Sequence, residues 1–312
     1  MRYLIVGAGG IGGYFGARLA ADGNDVTFQV RGRQAAAMAE RGLTLLSPLG
    51  DVTIEKPQLL SALDFPGHFD AVLLCTKLWD LEAAAETIKP LLAHDSFVAT
   101  LQNGVEGEDI VAAVVGRRHV VGGVAEISAH IEEPGVIRHH GELARLAFGE
   151  LDGTRSWRLE ALEAALSAAG VNVRLSNDIA IAIWQKFVLL SSFAGVTAYR
   201  RQSVGEVFSD PVSKALYADL VREAEAVARA KGVALPADAA EKAIAVLDRF
   251  PPGVKSSMLV DLEQGNRLEL PWLSGAVARL GAEFGVATPR HAEVTAALAP
   301  FVDGGGKAAP SA

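Results

Sequence analysis

The chain has 312 residues, 50% of them hydrophobic and 21% charged, enough for about two globular domains with cores of their own. A formal net charge of -8 and a pI near 5.4 exclude a broad basic face for nucleic acid or anionic lipid. The lone Cys75 excludes an internal disulfide, no signal-peptide pattern precedes the first strand, and apolar runs fall short of the roughly 18 residues a membrane span needs. The expectation is therefore a cytoplasmic protein; even its most apolar segment, residues 179–198, is interrupted by Gln185 and Lys186.

The first predicted element is a strand over Tyr3 to Gly7, followed at once by Gly7, Gly9 and Gly12 at G-x-G-x-x-G spacing and by an amphipathic helical pattern. In that context the first glycine permits a sharp turn, the second lets backbone approach a pyrophosphate, and the third lets helix and strand pack closely. The anion would sit at the helix N-terminus, where free N–H groups and the macrodipole favour it. The loop therefore points to a dinucleotide. A second strand spans residues 25–30, and the chain continues Phe28, Gln29, Val30, Arg31, Gly32, Arg33. An acid near the end of this strand would hold the ribose 2'-hydroxyl of NAD, whereas a basic residue accommodates a 2'-phosphate. The absence of an acid favours NADP, with Arg31 the first candidate and Arg33 the second; the alternative is a solvated surface pair of arginines.

A helix around residues 34–41 precedes two β-like runs, 43–46 and 52–54, which flank the turn signal Pro48-Leu49-Gly50-Asp51 and predict an inserted hairpin. The near-continuous apolar run from Asp70 to Cys75 predicts a parallel strand covered on both faces, ending at Thr76-Lys77. A helix over 80–88 and a strand over 96–101, ending at Gln102-Asn103-Gly104, complete the repeat. Ligands in open α/β sheets bind outside the carboxyl ends of the strands, so these polar strand ends share a rim with the glycine loop. Lys77 and Asn103-Gly104 each have an ordinary reading as well, an exposed lysine and a plain turn.

Residues 120–148 are β-rich and turn at Pro134-Gly135. The adjacent His139 and His140 lack metal-site spacing and read as sheet-surface residues. A helix over 156–169 ends at Gly170, and a strand over 171–175 ends the alternation.

The second half is helical. Asn177 or Asp178 caps a long helix from about Ile179, and on it Lys186 has Ala182, Ile183, Leu189 and Leu190 as helical neighbours. A lysine so placed either snorkels to the surface or stands in a cleft, where desolvation lowers its pKa and suits it to act as a general acid. Helices follow over 211–231, 237–249 and 273–284, with a short one near 291–298. Between them, Ser256-Ser257-Met258 opens a helical stretch that breaks at Gly265 and places Glu269 between Leu268 and Leu270.

GAGGIG at the start, Arg31, Thr76-Lys77, Gln102-Asn103-Gly104, Trp184-Gln185-Lys186 and the segment from Ser256 to Glu269 together resemble the ketopantoate reductase (2-dehydropantoate 2-reductase) family over residues 1–300. The resemblance implies an α/β protein, an N-terminal Rossmann-type doubly wound sheet followed by an all-helical C-terminal domain. The domains would be 1–176 for NADP and 177–302 for substrate and dimerisation, with 303–312 a frayed tail. It implies NADPH-dependent reduction of a small 2-keto acid in the interdomain cleft, and a homodimer. In this reading Gly7, Ala8, Gly9, Gly10, Ile11 and Gly12 hold the pyrophosphate, Arg31 the 2'-phosphate, and Lys77, Asn103 and Glu269 line the cofactor. Lys186 is the general acid and Glu269 a carboxylate beside it; Ser257, Asn103 and Lys186 contact substrate. No metal is implied.

The sequence departs from the family pattern on the Lys186 helix. Asparagines that grip the substrate in the family are replaced by Leu190 and Ala194, and a further polar residue by Val204 or a position close to it, with Ser191, Ser192 and Thr197 nearby as substitutes. A polar group left unpaired costs about 1 to 3 kcal/mol. A more apolar keto acid or ketone thus stands beside ketopantoate as substrate. Two other readings remain open: a non-catalytic NADP-binding or sensing protein, and another two-domain hydroxyacid-type dehydrogenase.

Overall fold

The structure is a computed structural model that describes residues 1–60, 67–246 and 249–305. The chain divides into two compact units, one of Met1–Gln102 and Glu106–Ala182, the other of Asn103–Val105 and the chain from Ile183 onward. The expected α/β sheet followed by a helical region is the architecture found.

The first unit is built on one sheet. In chain order its strands are β1 Arg2–Val6, β2 Asp25–Gln29, β3 Leu43–Leu46, β4 Val52–Ile54, β5 Gln58–Leu59, β6 Phe69–Leu74, β7 Leu92–Thr100, β8 Val120–Glu133, β9 Val136–Glu150 and β10 Asn172–Leu175. They lie in the order β4-β3-β9-β8-β7-β6-β1-β2-β5, with β10 on β9. From β8 to β5 all neighbours are parallel, while β8–β9 and β3–β4 are antiparallel hairpins. The apolar runs behave as continuous buried strands should: Leu4, Ile5, Val72, Leu73 and Leu74 are each 0% exposed. Helices α1 Gly10–Ala21, α2 Gly32–Arg41, α3 Leu81–Ile88, α4 Gly107–Val115 and α5 Trp157–Ala168 complete the unit.

Strand order reverses at β1. The chain leaves β1 towards β2 on one side and returns to β6 on the other, which makes the carboxyl ends of β1 and β6 the topological switch point. The glycine loop after β1 and Thr76 after β6 meet there. Gly7 has φ +89, a left-handed conformation that a side chain rarely adopts. Gly12 provides the close packing: a Cβ on it would lie 2.1 Å from the Gly7 carbonyl oxygen and 2.9 Å from the Cys75 Cβ.

Several details differ from the expectations. The β8–β9 hairpin is longer than its apolar cores, and α4 has no counterpart in the sequence reading. His139, read as a surface residue, is 2% exposed: alternation along β9 turns Ile137 and His139 inward and leaves His140 outside. Its ring is satisfied by Ser47 Oγ at Nδ1, 2.9 Å, and by the Leu143 carbonyl at Nε2, 3.1 Å.

The second unit contains α6 Ile179–Arg200, α7 Val204–Ser209, α8 Pro211–Ala230, α9 Ala239–Val246, α10 Ser257–Gln264, α11 Ser274–Phe284 and α12 Pro289–Leu298, α6 entering from the first unit. Helix α6 is long and apolar enough by composition to cross a membrane, yet 61% of that stretch is buried within the protein, as for a core helix. Gly195 lets α6 approach α11 and α8 closely, since a Cβ there would lie 2.9 Å from Ser274 Oγ and 3.5 Å from Leu220. Asp210 caps α8 through the N–H groups of Val212 and Ser213. Glu223 on α8 accepts from the N–H groups of Arg290 and His291, at 2.8 and 2.9 Å, and so caps α12 from its neighbour. The predicted helix over 237–249 is observed as α9; its positions 247 and 248, and positions 306–312 of the expected tail, lie outside the described residues.

Candidate active site

In the first unit the rim of the sheet encloses a cavity of about 310 Å³ lined by Gly7, Ala8, Gly9, Gln29, Val30, Arg31, Gln34, Thr76 and Ile131, among others. Each element contributes one side: the β1–α1 loop, the end of β2, the start of α2, the end of β6 and the β8–β9 hairpin. The main chain knits these ends together, with the Gly7 N–H donating to the Gln29 carbonyl at 2.9 Å and the Cys75 N–H to Val6 at 2.9 Å. Gln102, beyond β7, donates through Nε2 to the carbonyls of Leu74 and Thr76 at 2.9 and 3.1 Å.

Two features of this cavity match a dinucleotide. A Cβ on Gly9 would meet nothing within 4 Å, so the loop leaves open space above its second glycine. Gln29 Oε1 and Thr76 Oγ1 are buried and have no hydrogen-bond partner among the described residues. A buried polar atom without a partner costs about 1–3 kcal/mol, which a ligand hydroxyl donating to Gln29 Oε1 and a ligand oxygen accepting from Thr76 Oγ1 would remove. Arg31, the N-cap residue of α2, lines the cavity; Arg33 is exposed and does not. Lys77 is exposed beyond Thr76, its Nζ 5.6 Å from the centroid of the Trp79 ring. Burial pushes the Cys75 thiol up to about 12, so it stays protonated and unreactive beside the loop.

Gly10 and Gly12 are also held in close packing. A Cβ on Gly10 would lie 2.0 Å from the Ala129 carbonyl oxygen of the β8–β9 hairpin. Gln29, Gln34 and Ile131 were not singled out as site residues from the sequence. For Gln29 the signal existed, as it stands where an acid would select NAD. Gln34 reaches the cavity from the first turn of α2, and Ile131 through the hairpin's long-range fold, which carries no local signature.

The second unit brings together residues distant in sequence. Asn103, in the short segment 103–105, donates through Nδ2 to Glu269 Oε2 at 3.4 Å. Glu269 is 4% exposed. Lys186 is half-buried on α6 between exposed Gln185 and buried Phe187. Of the two serines at the start of α10, Ser256 is buried and structural: it caps the helix through the Leu259 N–H and pairs with Thr197 Oγ1 at 2.7 Å. Ser257, the first residue of α10, is exposed.

The three hydroxyls farther along α6 are already engaged. Ser191, Ser192 and Thr197 are at most 1% exposed, and their hydroxyls donate to the carbonyls of Phe187, Val188 and Phe193 at 2.7 to 2.8 Å. Such bonds back to the preceding turn are how a helix interior accommodates these residues. Leu190, one turn beyond Lys186, is half-buried, whereas Ala194 and Val204 are buried.

Family models described as Ketopantoate reductase PanE/ApbA and Ketopantoate reductase PanE/ApbA C terminal match residues 3–153 and 178–301. The chain belongs to this family. Within it, the chain is 33% identical over 291 residues to a Bacillus subtilis (strain 168) protein described as "Uncharacterized oxidoreductase YkpB", covering 93% of this chain and 95% of that one. It is 32% identical to a 2-dehydropantoate 2-reductase of Archaeoglobus fulgidus, covering 91% of this chain and 92% of the relative. The crystal structure of 2-dehydropantoate 2-reductase from Geobacter metallireducens GS-15 superposes with a TM-score of 0.89 at 32% identity, covering 96% and 99% of the two chains. The chain is accordingly a ketopantoate reductase-like oxidoreductase.

Proposed function

We propose that the protein is an NADPH-dependent reductase of a small 2-keto acid, either ketopantoate or a relative with a more apolar side chain. The observation that carries the cofactor half is the cavity at the switch point, whose β2 end offers neutral Gln29 and cationic Arg31 where an NAD enzyme has an acid. Gly7 to Gly12 hold the pyrophosphate through loop and helix N–H groups, Arg31 binds the 2'-phosphate, and Lys77 and Asn103 serve the nicotinamide end. Reduced nicotinamide supplies the hydride to the carbonyl carbon. Lys186 Nζ gives a proton to the carbonyl oxygen, leaving a 2-hydroxy acid and a neutral amine that solvent reprotonates. Glu269, held by Asn103, favours the ammonium form of Lys186 and offsets its desolvation. Ser257 binds the substrate carboxylate at the start of α10, where the first N–H groups of the helix lack intrahelical acceptors.

The loss of side-chain donors on α6 argues for a substrate with few polar groups beyond the keto acid itself. Leu190 faces Lys186 across one helical turn, and the adjacent hydroxyls are committed to the backbone. The same observation favours a second reading, a protein that binds NADP without turnover. We assign residues 1–176 to cofactor and 177–302 to substrate and pairing of two copies, in the cytoplasm. NADPH oxidation against ketopantoate and a panel of 2-keto acids, with NADH and Lys186→Ala as controls, tests the proposal. Activity that vanishes in the variant supports it, and NADPH binding without turnover on any substrate supports the second reading.

A further inference from the structure

Gln34 carries no charge and donates nothing to a phosphate in the account above, yet it stands at the junction of the cavity's walls. It is the third residue of α2, half-buried, and lines the cavity. Both ends of its amide are engaged. Nε2 donates to the Ala8 carbonyl at 3.0 Å, and Oε1 accepts from the Gly135 N–H at 3.0 Å. The partners themselves settle the orientation of the amide, because a carbonyl requires a donor and an N–H an acceptor.

The bond to Ala8 governs the glycine loop. A trans peptide is planar, so its carbonyl and the following N–H point to opposite sides. Holding the Ala8 oxygen towards Gln34 therefore directs the Gly9 N–H away from Gln34, and fixes that donor in a loop that is otherwise open above Gly9.

The bond to Gly135 governs the opposite wall. The Pro134-Gly135 turn is seated on α2: Arg41 donates to the Pro134 carbonyl at 2.9 Å, and a Cβ on Gly135, at φ +89, would lie 3.4 Å from Ala37 Cβ. The hairpin then places Ile131 on the cavity and the Ala129 carbonyl against Gly10 at the start of α1. One side chain thus joins the loop, the helix that follows β2 and the hairpin wall.

We infer that Gln34 is a positioning residue for the dinucleotide, setting the direction of a loop N–H and the seat of the hairpin wall before the ligand arrives. The inference rests on the dinucleotide reading of the cavity. A site organised in advance gains affinity because less ordering accompanies binding, and the dependence falls on the pyrophosphate end of the ligand.

The test is calorimetric titration of the full chain and of Gln34→Met, which keeps the length of the side chain but neither donates nor accepts. The ligands are NADPH and adenosine 2'-monophosphate, which carries a 2'-phosphate but no pyrophosphate. The expected result is a Kd for NADPH raised about tenfold, with that for adenosine 2'-monophosphate within about twofold and a cooperative melt retained. Should Gln34→Met fail to fold, Gln34→Glu keeps the acceptor for Gly135 and loses the donor to Ala8. It is titrated with the same ligands; the added carboxylate opposes the phosphates of both, so the lost donor is read from the further loss for NADPH relative to adenosine 2'-monophosphate, with the same split expected. An unchanged Kd for NADPH in a folded variant, or equal loss of both ligands, overturns the inference. Wild-type protein that binds neither ligand defeats the dinucleotide reading itself, a failure visible before any variant is made.

Discussion

Asn103 donates to the carboxylate of Glu269 across 166 residues of sequence, at 3.4 Å, and ties the short segment 103–105 to the segment after α10 within the second unit. Glu269 is almost wholly buried, and the proposed reaction assigns the proton transfer to Lys186. Replacing Lys186 by alanine removes the proton donor without touching the cavity under the glycine loop. Turnover should fall by roughly 10² to 10⁴, while NADPH binding, followed by fluorescence titration, stays within about twofold. Loss of both together would remove Lys186 from the catalytic role.

Arg31 and Arg33 separate by position, since Arg31 lines the cavity and Arg33 does not. Arg31→Ala should weaken NADPH by about 10- to 100-fold, the effect of a lost hydrogen bond to a charged group, and leave NADH nearly unchanged. Arg33→Ala should bind both as the wild type does. Equal sensitivity of NADPH to the two substitutions would contradict the assignment.

Two glycines of one loop predict opposite outcomes. Gly12→Ala forces a methyl to within 2.1 Å of the Gly7 carbonyl and should lower stability by about 1–3 kcal/mol or more, seen as a reduced Tm. Gly9→Ala projects into open space, so the protein should melt normally but bind NADPH poorly. A reversal of this pattern would mean that the loop does not cradle the pyrophosphate.

Burial pulls the His291 imidazole down from 6.5 to about 4, against a smaller opposing effect of its bond to the Leu220 carbonyl. The unfolded chain therefore binds this proton more readily between those values, and stability is lost as pH falls from about 6.5 towards 4, by up to about 3 kcal/mol. Burial raises the carboxyls of Glu223 and Glu108, which act in the opposite sense at the acid end. Urea unfolding at pH 7 and pH 5, compared between wild type and His291→Gln, isolates the histidine. A wild-type loss no larger than that of the variant would exclude it.

The glycine loop, Arg31 and the strand ends at Thr76 and Asn103 were legible because their signals are local: a spacing, a change of polarity, a break in an apolar run. The inward turn of His139 followed from alternation along β9 and was hidden because histidine at such a position resembles a surface residue. The pairing of Asn103 with Glu269 and the bridge from Gln34 to Gly135 arise only when distant elements come together. Ser191, Ser192 and Thr197 looked like available donors in sequence; only the helix shows their hydroxyls turned back on its own carbonyls.

The most direct test of the proposed reaction is NADPH oxidation in the presence of ketopantoate and a graded set of more apolar 2-keto acids. Turnover of at least one of them, faster with NADPH than with NADH and abolished by Lys186→Ala, is the predicted result. Tight NADPH binding with no turnover across the whole set would contradict it.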